Sequence, residues 1–255
     1  MSIFRHMRIT STNDEAKLLA DNGAAEWTIV VAEVQTGGRG RAGKKWQSHK
    51  GGLWFSVILR PMISPGTVAM LQFFASNATR KAIMDGTGLE TKTKWPNDII
   101  FETRKIAGIL VESKSQGSQV SFIIVGIGLN VNQSQSTLPE DATSIYATSR
   151  EKHNVEQLMN RIVENMQHDY AILETPDRIL NEWWTDCVHR SKNVEIQKGG
   201  QTISGISTGI DTDGSLLLEK NARTEHIMEG TLRVLNLQKT SPDSILPHPS
   251  LQAKS

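Results

Sequence analysis

The sequence predicts a mixed α/β domain followed by a small all-β C-terminal domain, and three observations carry that reading. Short β-rich apolar runs alternate with segments of helical period through about residue 190. Past Arg190 the helical period disappears, and short runs are separated by Gly-rich or Asp-Gly turns. The length, 255 residues, exceeds a usual single domain yet leaves no room for several full ones.

Taken in order, the opening MSIFRHMRIT reads as a short leader without the continuous apolar segment of a signal peptide. Ser11, Thr12 and Asn13 precede DEAKLLA, where polar caps and early acids start a helix. TIVVAEV and GLWFSVILR read as strands, residues 68–84 as a helix, and TKTKWPNDII as extended chain. RKIAGILVES and QVSFIIVGIGLNV read as adjacent strands joined by the polar turn KSQGSQ, with Gly126 and Gly128 permitting close backbone approach at one end. From Asn154 the apolar positions Val155, Leu158, Met159, Ile162, Val163 and Met166 keep helical spacing, and Asn154 with Gln157 offers a capping-box-like start. Thr175 and Pro176 open another helix as cap and first-turn residue. NVEIQKG, TISGISTGI and SLLLEK then form a compact antiparallel unit. The expected division is a main domain at 1–187, the β domain at 188–237, and a disordered tail at 238–255, whose Pro, Ser and Lys show no core-forming pattern.

Composition narrows the classes. Hydrophobic residues at 38% and charged residues at 22% are ordinary for a globular protein and argue against disorder. The longest apolar run, residues 122–127, is too short to span a bilayer, so a cytosolic protein without membrane contact is expected. The single cysteine, Cys187, excludes an intramolecular disulfide and a cysteine-based zinc site, and its place beside Trp183 and Trp184 suits packing. A net charge of +1 gives no global case for nucleic acid.

Local charge is another matter. Residues 37–46, GGRGRAGKKW, half-match two phosphate-binding patterns and satisfy neither. A P-loop needs Ser or Thr after its lysine, where Lys45 stands, and a dinucleotide fingerprint needs an acid about twenty residues on, where none occurs. What remains is flexible backbone carrying Arg39, Arg41, Lys44 and Lys45, which either stays solvated or meets an anion.

Gln35, Gly38, Arg39, Gly40, Arg41, Gly43 and Trp46 together closely resemble the GRGRxGRxW loop of biotin protein ligases. The resemblance continues, in family order, through KWPNDI at 94–99, RKIAGIL at 104–110 and GIGLNVN at 126–132. It reaches GISTGIDTDGSLLLE, similar to the family's SH3-like C-terminal domain. It thus covers most of residues 8–236 and implies a biotin/lipoate ligase-like mixed sheet with that small domain appended.

The resemblance implies ATP-dependent biotinylation of one lysine on a biotin carboxyl carrier domain, through biotinyl-5′-AMP. It assigns Lys105 and Asp98, with Arg39 and Arg41, to the chemistry. Ser11, Thr12, Gln35 and Gly38 fall on the biotin ureido side, Gly108 near its carboxylate end, and Leu53 and Trp54 as walls. Arg39, Arg41 and Lys105 also contact biotin. Arg41, Trp46, Asn97, Lys105 and Asn130 face the adenylate, and DATSIY at 141–146 takes the place of an adenine-side loop. Without that resemblance, Asp98 and Lys105 would read as an ordinary ion pair, and Ser11 and Thr12 as helix caps. Mg²⁺ is expected to enter with ATP, with no protein ligand named. So few residues precede the catalytic pattern that no helix-turn-helix is expected, and so no DNA partner; a homodimer stays open. The competing readings are a lipoate protein ligase and a nucleic-acid-binding module; the second lacks an aromatic stacking row.

Overall fold

A computed structural model describes residues 1–117 and 119–235. The expected tail and the last residues of the expected β domain lie outside the described residues.

The chain runs β1 (Ile3–Ile9), α1 (Thr12–Asp21), β2 (Ile29–Gln35), β3 (Leu53–Leu59), α2 (Met70–Thr87), β4 (Lys92–Lys94), β5 (Asp98–Phe101), β6 (Arg104–Gln116) and β7 (Gln119–Leu129). It continues through α3 (Ile145–Ser149), α4 (Val155–His168) and α5 (Pro176–Thr185). The last five strands are β8 (Asn193–Lys198), β9 (Gln201–Ile210), β10 (Leu216–Lys220), β11 (Arg223–Ile227) and β12 (Thr231–Val234). The first seven strands form one sheet in the order β1-β2-β3-β7-β6-β5-β4, and the rest form a second in the order β11-β10-β9-β8-β12. Among the described strands of the large sheet, only β1 and β2 pair with each other in parallel.

Alternation along the central strands sorts side chains onto two faces. Phe55, Val57, Leu59, Ile123, Val125 and Ile127 pack with α2, α4 and α5 in the main core. Ile58, Phe122 and Ile124 turn the other way, onto Ala16 and Ala20 of α1. β3 is therefore buried on both faces, as its unbroken apolar run implies. Helix α2 has buried residues nearly all round its surface and ends at Gly88, whose φ of 71° is the left-handed conformation that favours glycine. Asn154 caps α4 by accepting the N–H groups of Glu156 and Gln157 at 2.9 and 3.1 Å.

Several expectations are corrected. The opening segment is a strand, β1, and not a leader; it lies at the sheet edge with mostly exposed side chains, so it carries no apolar alternation to read. Strands β6 and β7 extend into KSQGSQ, the first to Gln116 and the second from Gln119. Thr175 precedes α5, but its hydroxyl donates backwards to the Ile172 carbonyl at 3.1 Å instead of capping the helix. The second sheet holds two further strands, β11 and β12, where exposure again removes the apolar signal. Cys187 is buried, and burial pushes its thiol up to about 12, which keeps it protonated. Among the described residues no helix is long and apolar enough to cross a membrane.

Candidate active site

Two cavities meet on the α1 side of the large sheet. The smaller is a slot between the N-terminus of α1 and the glycines of β6 and β7, bordered by Ser11, Thr12, Gln35, Gly108, Gly126 and Gly128. Glycine is required there by contact. A Cβ on Gly126 would fall 2.1 Å from Asn13 Oδ1, and one on Gly128 would fall 2.6 Å from Trp46 Nε1. The larger is a cleft of about 710 Å³ bordered by Arg41, Lys44, Lys94, Asp98 and Asn130 and by β-domain residues such as Thr231. Trp46, Asn97 and Lys105 border both cavities.

A continuous polar network lines one wall of the slot. Gln35 Oε1 accepts the backbone N–H of Thr12 at 2.8 Å and its hydroxyl at 3.0 Å, while Gln35 Nε2 donates to Ser48 Oγ at 2.8 Å. Ser56 Oγ lies 2.8 Å from Thr12 Oγ1 and 2.6 Å from Asn13 Oδ1. Asn13 Nδ2 donates to Glu112 at 2.6 Å. Ser11 is buried, and its hydroxyl caps α1 by accepting the Asp14 N–H at 3.4 Å. Gly38 fits here by close approach, since a Cβ would sit 2.6 Å from Trp46 O and 2.7 Å from Ser48 Oγ.

The basic loop is folded down at both ends of this wall. Arg39 makes a two-pronged contact with Asp14 at 2.7 and 2.5 Å and stands 3.7 Å from Glu112. That guanidinium holds the Asp14 carboxyl below its usual range. Arg41 points the other way and donates to Gln72 Oε1 at 3.3 Å and to the Met228 carbonyl at 3.5 Å. Burial lowers its pKa, partly offset by Glu229 and Asp98. Lys44 donates to Thr231 Oγ1 at 2.9 Å, so the loop also leans on the second sheet.

The hairpin of β5 and β6 places Asp98 opposite Gly108 and brings Lys105 back beside Asp98, with an irregular register between Ile99 and Ile100. Lys105 Nζ pairs directly with Asp98 Oδ1, and both side chains are about a quarter exposed. The same ammonium lies 4.9 Å from the Trp46 ring centroid, a cation–π placement. Backbone bonds to Asp141 and Thr143, both 2.8 Å, run DATSIY alongside Lys105. Asn97 and Asn130 donate from their amide nitrogens to the carbonyls of Ile109 at 2.7 Å and Thr143 at 2.9 Å.

The structure thus brings Ser11, Thr12, Gln35, Arg39, Gly108, Trp46, Asn97 and Lys105 to the slot and Arg41, Trp46, Asn97, Asp98, Lys105 and Asn130 to the cleft, with the Arg39 and Arg41 guanidinium groups turned to Asp14 and Gln72, while Gly38 borders neither cavity. Leu53 and Trp54 do not border the slot. Leu53 packs into the core with α2, and Trp54 braces Trp46 edge-on at 6.2 Å; Phe55 is the β3 residue at the slot. Asn13 entered the sequence reading only as a helix-cap candidate, and Ser48, Ser56 and Glu112 escaped it. Of these only Ser56 carried a signal, as the single polar residue inside LWFSVIL.

Comparison with known proteins agrees with this geometry. Residues 4–130 match the family described as "Biotin/lipoate A/B protein ligase family", and residues 192–231 match the "Biotin protein ligase C terminal domain". The chain is 35% identical to the bifunctional ligase/repressor BirA of Bacillus subtilis, over 90% of this chain and 73% of that protein. It is 30% identical to the biotin--[acetyl-CoA-carboxylase] ligase of Paracoccus denitrificans, over 83% and 91%. Among solved structures, the biotin protein ligase of Aquifex aeolicus in complex with biotin and ATP superposes with a TM-score of 0.77 at 25% identity, covering 92% of this chain and 99% of that one. Since these likenesses span the slot, the hairpin and the second sheet alike, this chain belongs to the biotin protein ligase family.

Proposed function

We propose that this chain uses ATP to join biotin to a lysine of a biotin carboxyl carrier protein or domain, through biotinyl-5′-AMP. The observation that carries the reading is the position of Lys105, which borders both the slot and the cleft. A carboxylate reaching the end of one and a phosphate reaching the end of the other meet at that single ammonium.

In the first step a biotin carboxylate oxygen bonds to the α-phosphorus of ATP and pyrophosphate leaves. Lys105 offsets the negative charge that builds on the phosphorus oxygens, and Asp98 keeps its ammonium in place. In the second step the neutral amine of the carrier lysine bonds to the carbonyl carbon, AMP leaves, and the amine's proton passes to a base, a role open to Asp98. Ser11, Thr12, Gln35 and Gly38 serve the ureido group, and Gly108 leaves backbone free near the carboxylate. Arg39 and Arg41 serve the carboxylate and phosphate region, and Trp46, Asn97 and Asn130 border the adenylate. The slot as it stands offers about 40 Å³, because Trp46 covers Gly108 and Gly128. Biotin entry therefore displaces the indole, and Arg39 exchanges Asp14 for the ligand as the loop closes and excludes water.

Among the described residues no three His, Cys, Asp or Glu side chains converge on a metal site. Magnesium belongs to this reading as a companion of the nucleotide phosphates, and no step is assigned to it. A carrier-protein partner and a cytosolic setting belong to the same proposal. The test is incubation with ATP, magnesium, biotin and an apo carrier domain, followed by the mass of the carrier. An unmodified carrier, or equal transfer of lipoate, overturns it.

A further inference from the structure

Strand β4 is three residues long and lies at the edge of the large sheet, paired on one side with β5 alone. Its outer side is covered by the chain that leads into the β domain. Thr93 donates its N–H to the Asp186 carbonyl at 3.0 Å and accepts the Val188 N–H at 3.0 Å. Two residues on, where the next outward rung falls, the acceptor is a side chain. The Trp95 N–H donates to His189 Nε2 at 3.0 Å.

His189 is fully buried, and its Nδ1 lies 2.7 Å from Ser207 Oγ on β9. A backbone amide can only donate, so Nε2 must be unprotonated; Nδ1 then carries the proton and donates it to Ser207. Burial first, then Lys94 and Lys192, pushes the imidazole's pKa down to about 3, so the ring is neutral at ordinary pH. The Trp95 indole is held from the same side, donating to the Gly214 carbonyl at 3.1 Å. Three residues beyond Trp95 stands Asp98, the partner of Lys105.

We propose that His189 is a positioning residue for ligation: it replaces a backbone rung at Trp95, ties that rung to Ser207 of the β domain, and thereby fixes residues 95–98 and the Asp98–Lys105 pair. The inference rests on the ligase reading above. It gives the β domain a part in the first chemical step, since the segment bearing Asp98 is aligned from outside its own sheet.

Two amide substitutions separate this role from plain stability. The amide of Gln reaches the position of Nε2 and can accept the Trp95 N–H, whereas the shorter Asn reaches only the position of Nδ1 and Ser207. In biotin-dependent pyrophosphate exchange, His189→Gln should keep kcat within about threefold, while His189→Asn lowers kcat about tenfold or more with KM for biotin within about threefold. The proposal is overturned if His189→Asn keeps wild-type kcat, if both variants lose activity alike in step with Tm, or if only KM moves. Nitrogen-15 spectra of the wild-type protein give a check independent of turnover: a proton on Nε2 overturns the proposal. A wild-type enzyme without exchange activity removes the ligase reading itself, whereas an active wild type with an equally active His189→Asn removes only the role of His189.

Discussion

Lys105 touches three things at once: the Asp98 carboxylate, the Trp46 ring and the space above Gly108. The ion pair is partly exposed and contributes little stability; in the proposed reaction the lysine's worth lies in charge placed where charge develops. Lys105→Ala is expected to lower biotinyl-adenylate formation roughly 100- to 1000-fold while leaving the fold intact, read by pyrophosphate exchange beside circular dichroism. Arg41 acts differently: its contacts with Gln72 and the Met228 carbonyl tie the loop to α2 and to the turn before β12, an anchor for the proposed closure. Arg41→Gly should loosen that closure, let biotinyl-AMP escape and label bystander albumin, more strongly at higher pH where more lysine amine is neutral. Equal streptavidin signals on albumin from variant and wild type, with adenylate made by both, would remove the retention role. At this scale the sequence showed the residues but not their partners. Arg39, Arg41 and Lys105 are visible as cations in glycine-rich or β-rich surroundings, yet nothing in the spacing says that Arg39 meets Asp14 or that Glu112 and Asn13 complete the wall. Those partners come from other strands, and only the fold brings them near.

The glycines of β7 show how an element shapes the site. Gly126 and Gly128 leave one face of a central strand bare, and Asn13 and Trp46 fill what side chains would otherwise occupy. Neither needs glycine for its backbone angles, so the requirement is room. Gly128→Ala should fold, displace the indole, narrow the slot by a methyl group, and weaken biotin binding about tenfold by calorimetry, in line with the cost of overfilling a packed site. Unchanged affinity would mean that the slot lies elsewhere. Periodicity made the buried elements legible: β2, β3, β6, β7, α2 and α4 all lie where apolar runs or helical spacing put them. It failed at β1, β11 and β12, whose largely exposed side chains obey backbone pairing and leave no hydrophobic trace.

For the whole molecule, the neutral histidine at the joint between the two sheets links stability to acidity. Its folded pKa of about 3 lies below the unfolded value of 6.5, so below that value the unfolded chain binds a proton that the native one refuses. Its contribution is complete above pH 6.5 and drains away as pH falls, by up to about 1.4 kcal/mol per unit. Between pH 6.5 and 5 the loss approaches ~2 kcal/mol, ahead of Asp14 and Asp213, whose lowered pKa values tell only in stronger acid. Urea titrations should show this slope for the wild type and a flatter one for His189→Gln; parallel curves would place the sensitive group elsewhere.

The seam between β3 and β7 has a temporal meaning. Leu53 lies opposite Leu129, so strands distant in sequence must meet before the large sheet exists as one piece. Gln35 on β2, with Thr12 at the start of α1, lies on one side of that seam, and Lys105, Gly108 and Gly128 on the other. A nascent chain therefore offers no slot until β7 has emerged and docked, and in the proposed reaction a bound ligand spans a join between strands distant in sequence. Occupancy should slow amide exchange most along these two strands, so that substrate acts on the folded enzyme as a clasp across that join.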